Sequence, residues 1–420
     1  MSTGSLAVRP CGRPAVCLLL LLAACTGPSD SQGRPPLLTA LPRDLTAAEQ
    51  RIAAASNAFG LDLLRTAAAA KPSENHFLSP LSATMALGLA LNGAGGTTLA
   101  DMKRTLRLGE AEMAAINAGY KGLLSLLSGL DPTSTLTVAN SIWLDQGAGF
   151  YPAYLETARE WFDAEAQVLD FGAPQTALAA INGWVNEETR GKIPTLLDDI
   201  RGDEIAFLIN AVYFKGKWRT PFDPKRTSNG VFHALGGDQS VPMMRLEPAE
   251  HRVAQTADGQ VLEMLYGNGA LVMTIVLPAS GRPLAELVAA LDTAKWNGWT
   301  SSLATGKVAV TMPRFRLELK RELVEDLTAL GMGVAFDAQR ADFSAMRPVS
   351  PGANVYLTRV TQKTFVDVNE EGTEAAAATS VGVGVTSAPP TITIDRPFLV
   401  AIRERFAGTV LFVGLVNRIP

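Results

Sequence analysis

Beyond residue 25 the chain contains no cysteine. Cys11, Cys17 and Cys25 all fall in the first 25 of 420 residues, so a disulfide framework and a cysteine metal site are excluded for the body. Histidine is nearly as scarce. His76, His233 and His251 are the only three, and no HxxxH or HExxH spacing joins any two. No Gly-x-Ser-x-Gly elbow and no phosphate loop occur. Gly382-Val383-Gly384 begins a dinucleotide pattern, but the third glycine is missing and Pro389-Pro390 forbids the helix that should follow. Charged residues are 19% and the net charge is −4, with Lys and Arg scattered, so there is no electrostatic footprint for nucleic acid. Nothing in the spacing of the acidic residues nominates a catalytic carboxylate pair. An enzyme reading has little support, and no cofactor or metal is implied.

What is present begins at the N-terminus. Arg9 and Arg13 precede the apolar run Ala15–Ala24, followed by Cys25. A basic start and a short apolar stretch ending in small residues make a secretory signal over residues 1–24. The run is too short for a membrane span, which needs about 20 residues. Leu22-Ala23-Ala24-Cys25 resembles the lipobox of bacterial lipoproteins, which implies lipid attachment at Cys25; the alternative is an ordinary cleaved signal with an incidental cysteine. Residues 25–45 follow as a tether, Pro/Gly/Ser-rich over 26–36. The expected location is the cell envelope or the extracellular space, with acyl chains as the membrane contact.

Apolar residues are 47%, enough for a large core, and residues 46–420 read as one domain without repeats or linker-like breaks. Thr46–Ala70 is helical, with Thr46 a candidate N-cap and Glu49 three residues on. Ser79-Pro80 opens a helix to Leu91. Helices are expected over 97–106, 111–127, 174–189, 283–291 and 320–330. Strands are expected over 135–144 and 205–214, through most of the chain beyond Val241 with turns at 258–259 and 267–269, and at the C-terminal end. Helices gather early and strands late, which predicts an α+β fold rather than a parallel βαβ sheet.

One stretch is unusual. After Glu374, 20 residues pass without a charge before Asp395. A linker is an unremarkable reading, but the run lies inside the domain between strands. A membrane span is contradicted by its Thr, Ser and Gly content and by Pro389-Pro390. Alternation supports a third reading: Thr373, Ala375, Ala377, Thr379, Val381, Val383 and Val385 share one face at period 2, with Glu374, Ser380 and Thr386 on the other. From Gly372 to Thr386 such a strand would span about 50 Å. The segment suits an exposed loop, and it also suits a sheet, because nothing charged after Glu374 must be desolvated. It is a latent strand.

Glu370-Glu371-Gly372-Thr373-Glu374-Ala375-Ala376-Ala377-Ala378-Thr379 resembles the hinge of the serpins, the serine protease inhibitors. Segments 75–82, 93–97, 210–218, 312–315, 341–344, 396–399 and 411–414 are similar to the family as well, so the likeness covers nearly all of the body. The resemblance implies about nine helices, three β-sheets and an exposed reactive-centre loop that a protease cuts. The freed loop then inserts as a central strand while the protease is held as an acyl-enzyme. It implies a scissile bond at Thr386-Ser387, or one residue earlier with Val385 in the primary pocket. Either suits an elastase-like or subtilisin-like serine protease with a small apolar pocket, whereas a trypsin-like pocket would find no Lys or Arg.

By position in the family's pattern, Ser79, Ser82 and Asn210 match the polar cluster under the sheet's opening point. The family usually adds a histidine there, and this chain has Gln362, which both donates and accepts. Trp218 matches the tryptophan at the loop's entry, and Glu370 is expected opposite Arg314. Lys103, Arg104 and Arg107 are too few to favour polyanion binding over a solvated face. The leading expectation is a monomeric, irreversible inhibitor; a non-inhibitory, binding or chaperone-like serpin is the alternative, and a hydrolase the third.

Overall fold

Thr46 and Glu49 close a reciprocal capping box at the start of the first long helix: Glu49 N donates to Thr46 Oγ1 at 3.2 Å and Thr46 N to Glu49 Oε2 at 2.8 Å. Arg43 binds the same carboxylate at 2.6 and 2.7 Å. This is a computed structural model that describes Met1 and residues 35–202, 204–348, 354–373 and 390–420. Among these residues the helices are α1 (Ala47–Ala70), α2 (Pro80–Leu91), α3 (Gly96–Thr105), α4 (Met113–Ser128), α5 (Pro152–Phe162), α6 (Pro174–Glu188), α7 (Leu284–Ala289), α8 (Thr293–Ser301) and α9 (Val324–Leu327). The strands are β1 (His76–Leu78), β2 (Ser134–Asp145), β3 (Glu165–Leu169), β4 (Ala206–Lys217), β5 (Ser228–Ala234), β6 (Gly237–Thr256), β7 (Gly259–Leu265) and β8 (Leu271–Pro278). They continue as β9 (Ala304–Pro313), β10 (Phe315–Glu322), β11 (Thr361–Asn369), β12 (Gly372–Thr373), β13 (Thr391–Thr393), β14 (Phe398–Glu404) and β15 (Val410–Val416).

The fold is α+β. Every residue of α2 is buried, as its text, apolar but for Ser82 and Thr84, allows; it lies between α1, β4 and β15. The expected sheets form two hydrogen-bonded ladders. One follows the order β1-β15-β14-β8-β7-β6-β9-β13, with β5 beside β6, and the other β10-β11-β12-β4-β2-β3. Two of the three anticipated sheets merge because β6 runs for 20 residues and pairs with β9 across a bulge between Leu246 and Ala249. Most pairings are antiparallel. The parallel ones are β2–β3, β4–β11 and β9–β13.

Two readings needed correction. Lys320–Glu322 belong to β10, in which Phe315 and Leu317 are buried and Arg316 is exposed; alternation governs there, and the helix starts only at Val324. A βαβ unit also exists at one edge, where α5 carries β2 into parallel β3. No described helix is long and apolar enough to cross a membrane.

The N-terminal segment is pinned to the body before α1 begins. Leu38 N donates to Asn268 O at 2.8 Å, Arg219 Nη1 donates to Pro35 O at 3.0 Å and Arg405 Nη2 to Leu38 O at 2.6 Å. A separate apolar cluster joins α6 and residues 193–197 to the face of the six-stranded sheet, through Ile181, Val185, Ile193 and Leu196 against Trp143, Phe207 and Ile209.

Candidate functional site: the hinge and the seam beneath it

The six-stranded sheet contains a seam. In its lower half β11 and β4 pair directly, from Thr361 with Ile209 to Phe365 with Tyr213. Above, they part, and the two-residue β12 sits between them, antiparallel to both: Thr373 opposite Val368 and Gly216, Gly372 opposite Asn369 and Lys217. Stepping this register downward by one residue per level reaches Ser380 opposite Thr361 on one side and opposite Ile209 on the other. Those two residues are already partners, so the opening is in register for a strand that continues from Thr373.

The chain enters the opening through a tight reversal at Glu370-Glu371. Trp218 N donates to Glu371 O at 2.8 Å and Phe222 N to Glu370 O at 2.7 Å, while Trp218 Nε1 donates to Asn369 O at 2.9 Å. Gly372 takes φ +153°, and a Cβ there would lie 2.0 Å from Gly216 O; only glycine fits. Thr373 is completely buried, with Oγ1 3.0 Å from Tyr266 Oη. Burial pushes the Tyr266 phenol well above its usual pKa, so it stays protonated. Its ring stacks on Trp218 at 4.4 Å and meets Phe214 edge-on at 5.1 Å. This aromatic group fixes the depth of the hinge.

Glu370 is 4% exposed. Arg314 Nη2 donates to its Oε1, as does Thr227 Oγ1 at 2.6 Å. Burial alone would raise the pKa of this carboxyl, but the hydrogen bonds from Arg314 and Thr227 prevail and hold it below the usual glutamate value. A carboxyl depressed on folding contributes stability that is complete above its unfolded pKa, about 4.3, and lost as pH falls through the lower folded value. The thermal midpoint of Glu370→Gln should therefore lie below wild type by a constant amount from neutrality down to about pH 5, and the gap should close below about pH 4. A gap unchanged in acid would show that Glu370 is not held ionised. Neighbouring Glu371 is raised, chiefly by burial.

Beneath the seam lies a buried polar group. Ser79 N donates to Gln362 Oε1 at 2.9 Å, and Gln362 Nε2 donates to Ser79 O at 3.0 Å. Ser79 Oγ, which does not cap α2, donates instead to Leu411 O at 2.7 Å. Gln362 is the cross-strand partner of Asn210, whose Nδ2 donates to Asn140 Oδ1 at 2.8 Å. Asn210 Oδ1 and Ser82 Oγ are buried without a hydrogen-bond partner among the described residues. Gln362→Ala would leave Ser79 N without an acceptor at a site 1% exposed, while Ser79 O keeps its bond from Ala83 N at 3.0 Å. A loss on the order of 1–3 kcal/mol is expected, because an unsatisfied buried donor carries its desolvation penalty; a urea unfolding midpoint within error of wild type would contradict it.

The structure thus brings Glu370, Gly372, Thr373, Trp218 and Arg314 together at the top of the seam, and Ser79, Gln362 and Asn210 beneath it. Sequence reasoning did not find Tyr266, Thr227 or Asn140; for Tyr266 the one signal was its place before the Gly267-Asn268-Gly269 turn. Glu374, Ala375, Ala376, Ala377, Ala378, Thr379, Val385, Thr386, Ser387 and Cys25 lie outside the described residues. Lys103 donates to Ala111 O at 2.8 Å, and Arg104 and Arg107 pair with Asp101 and Asp62. Among the described residues no group of three His, Cys, Asp or Glu is placed to hold a metal.

Residues 54–419 match the family model described as "Serpin (serine protease inhibitor)". The chain is 37% identical over 369 residues to Serpin B8 of Homo sapiens, an alignment spanning 86% of this chain and 97% of that protein. It is 34% identical over 383 residues to the leukocyte elastase inhibitor of Bos taurus, spanning 88% and 99%. Among solved structures it is similar to the thermophilic serpin tengpin in its native state, with a TM-score of 0.81 at 27% identity, covering 91% of this chain and 98% of that one. The chain belongs to the serpin family.

Proposed function

We propose that this serpin is an irreversible inhibitor of serine proteases with a small apolar primary pocket, elastase-like or subtilisin-like. The observation that carries the reading is the register of the seam. Gly372 and Thr373 already occupy the first two positions of a strand between β11 and β4, and each further residue down to Ser380 has a defined slot on both flanks. The protease attacks at Thr386-Ser387, or after Val385, and forms an acyl-enzyme. Release of the loop lets Ala375, Ala377 and Thr379 follow Thr373 into the interior face, replacing the direct pairs from Thr361–Ile209 to Phe365–Tyr213. Their small side chains need little room, and Gln362 can exchange partners as the strands separate.

The similarity to a leukocyte elastase inhibitor agrees with Thr386 and Val385 as bait. We further propose that the body is monomeric, is exported and is held to a membrane through lipid on Cys25, with residues 25–45 as tether. Incubation with pancreatic elastase followed by a denaturing gel tests the inhibitory reading. A band at the summed mass of both proteins is expected; cleaved serpin beside free protease, with no adduct, would reject it.

A further inference from the structure

We propose that the cavity between α7 and the C-terminal ends of α1, β8 and β15 is a binding site for a free amphipathic organic anion, an apolar body carrying one acidic head. The cavity has a volume of about 460 Å³, within the range of ligand sites. Its wall forms where elements stop. Pro72 follows α1, Pro278 ends β8, Pro283 precedes α7 and Pro397 precedes β14, positions where a missing N–H costs no helix or ladder bond. Their fixed φ keeps this wall rigid, so the cavity is formed before anything binds. Ala68, Ala69, Leu284, Val288 and Leu415 add further apolar surface.

The charged groups of the lining are Arg65, Arg282 and Arg396, all partly exposed, and among the described residues no carboxylate side chain joins them there. Arg65 donates to Asp62 at 2.7 Å and to Leu291 O at 2.8 Å. Arg396 donates to Asp395 at 2.9 Å and to Pro278 O at 2.8 Å. Arg282 is less committed: Nη1 donates to Asp258, while Nε and Nη2 have no partner among the described residues. Asp258 also receives Lys295 at 3.0 Å, and Asp62 also receives Arg107, so each of these carboxylates is divided between two cations. Glu286, the acidic residue of α7, is exposed and stands outside the lining.

These surroundings select the ligand. A guanidinium that holds one anion on one edge can give charge-assisted bonds to a second from its other edge, and Arg282 has that edge open. An inorganic ion would engage Arg282 but leave the apolar wall wet. A neutral hydrophobe would cover the wall and desolvate the guanidinium edge without supplying an acceptor. An amphipathic anion does both jobs, with its head at Arg282 and its body against the prolines, Leu284 and Val288.

Anilinonaphthalene sulfonate, which fluoresces when shielded from water, is the probe, titrated into the full-length folded protein. The expected result is saturable enhancement with a dissociation constant below roughly one millimolar. Decanoate should displace the dye and phosphate should not, while neutral phenylnaphthylamine should bind at least tenfold more weakly. Ala285→Trp, at an exposed lining position of α7, fills the mouth and should abolish the signal, and Arg282→Gln should weaken it at least tenfold. Ala54→Trp, in the separate cavity between α1 and α8, should leave it unchanged. The proposal is overturned by equal binding of the neutral and anionic dyes, which a bare packing void predicts, or by phosphate competing as well as decanoate. It is equally overturned by a folded Ala285→Trp or Arg282→Gln within twofold of wild type, or by Ala54→Trp abolishing the signal. Should the variants fail to fold, the dye comparison and the competition on the wild-type protein decide.

Discussion

Replacement of Thr373 by arginine should abolish the covalent protease adduct while leaving loop cleavage intact. Thr373 is fully buried against Tyr266, and it is the first interior-facing residue of the strand proposed to grow from the hinge. Before cleavage the arginine can leave the two-residue β12 for solvent, whereas insertion of the loop forces it to that depth, where a guanidinium faces a desolvation penalty of several kcal/mol with no anion to receive it. Each 1.4 kcal/mol against insertion slows it about tenfold relative to deacylation. The number of inhibitor molecules consumed per protease should therefore rise by more than about tenfold, with the chain accumulating in cleaved form. Thr373→Ser, which keeps the hydroxyl for Tyr266, should still form the adduct. Undiminished adduct in Thr373→Arg would mean that the inserted strand presents its other face inward.

Cleavage within residues 374–389 by a protease that is then removed should raise the thermal midpoint by about 15 °C. Continued in the β12 register, insertion gives the seven residues from Glu374 to Ser380 a strand on each side, down to the Thr361–Ile209 pair. At a net ~1 kcal/mol each the gain is ~7 kcal/mol, and ~2 °C follows from each kcal/mol in a domain of this size. The same cut in Thr373→Arg should give little or no rise, so the two experiments read one event by different means. A wild-type midpoint unmoved by cleavage would leave the family membership standing and favour the non-inhibitory alternative.

Much of this was legible in the sequence because the hinge obeys local rules. Gly372 is required where the backbone passes 2.0 Å from the position of a Cβ, and period-2 alternation places Thr373 inside. The α1 capping box was equally plain, since all its partners lie within four residues. What the sequence hid was non-local. Tyr266 and Thr373 are 107 positions apart, and Asn140 meets Asn210 only after β2 and β4 have paired. Lys320–Glu322 resembled a helix start in composition, yet eight consecutive pairings with β11 override that preference.

The pinning of Pro35 and Leu38 has a geometric corollary. Arg219, which holds Pro35 O, directly follows Trp218, which holds the hinge. Pro35 therefore sits at the pole of the body that holds the hinge. Ten Cα-to-Cα steps separate Cys25 from Pro35, a reach of at most about 35 Å. With Cys25 acylated, as proposed, the lure would hang close above the lipid surface and favour quarry moving along that surface. Strand insertion would then haul the captive down the length of the seam, away from the bilayer.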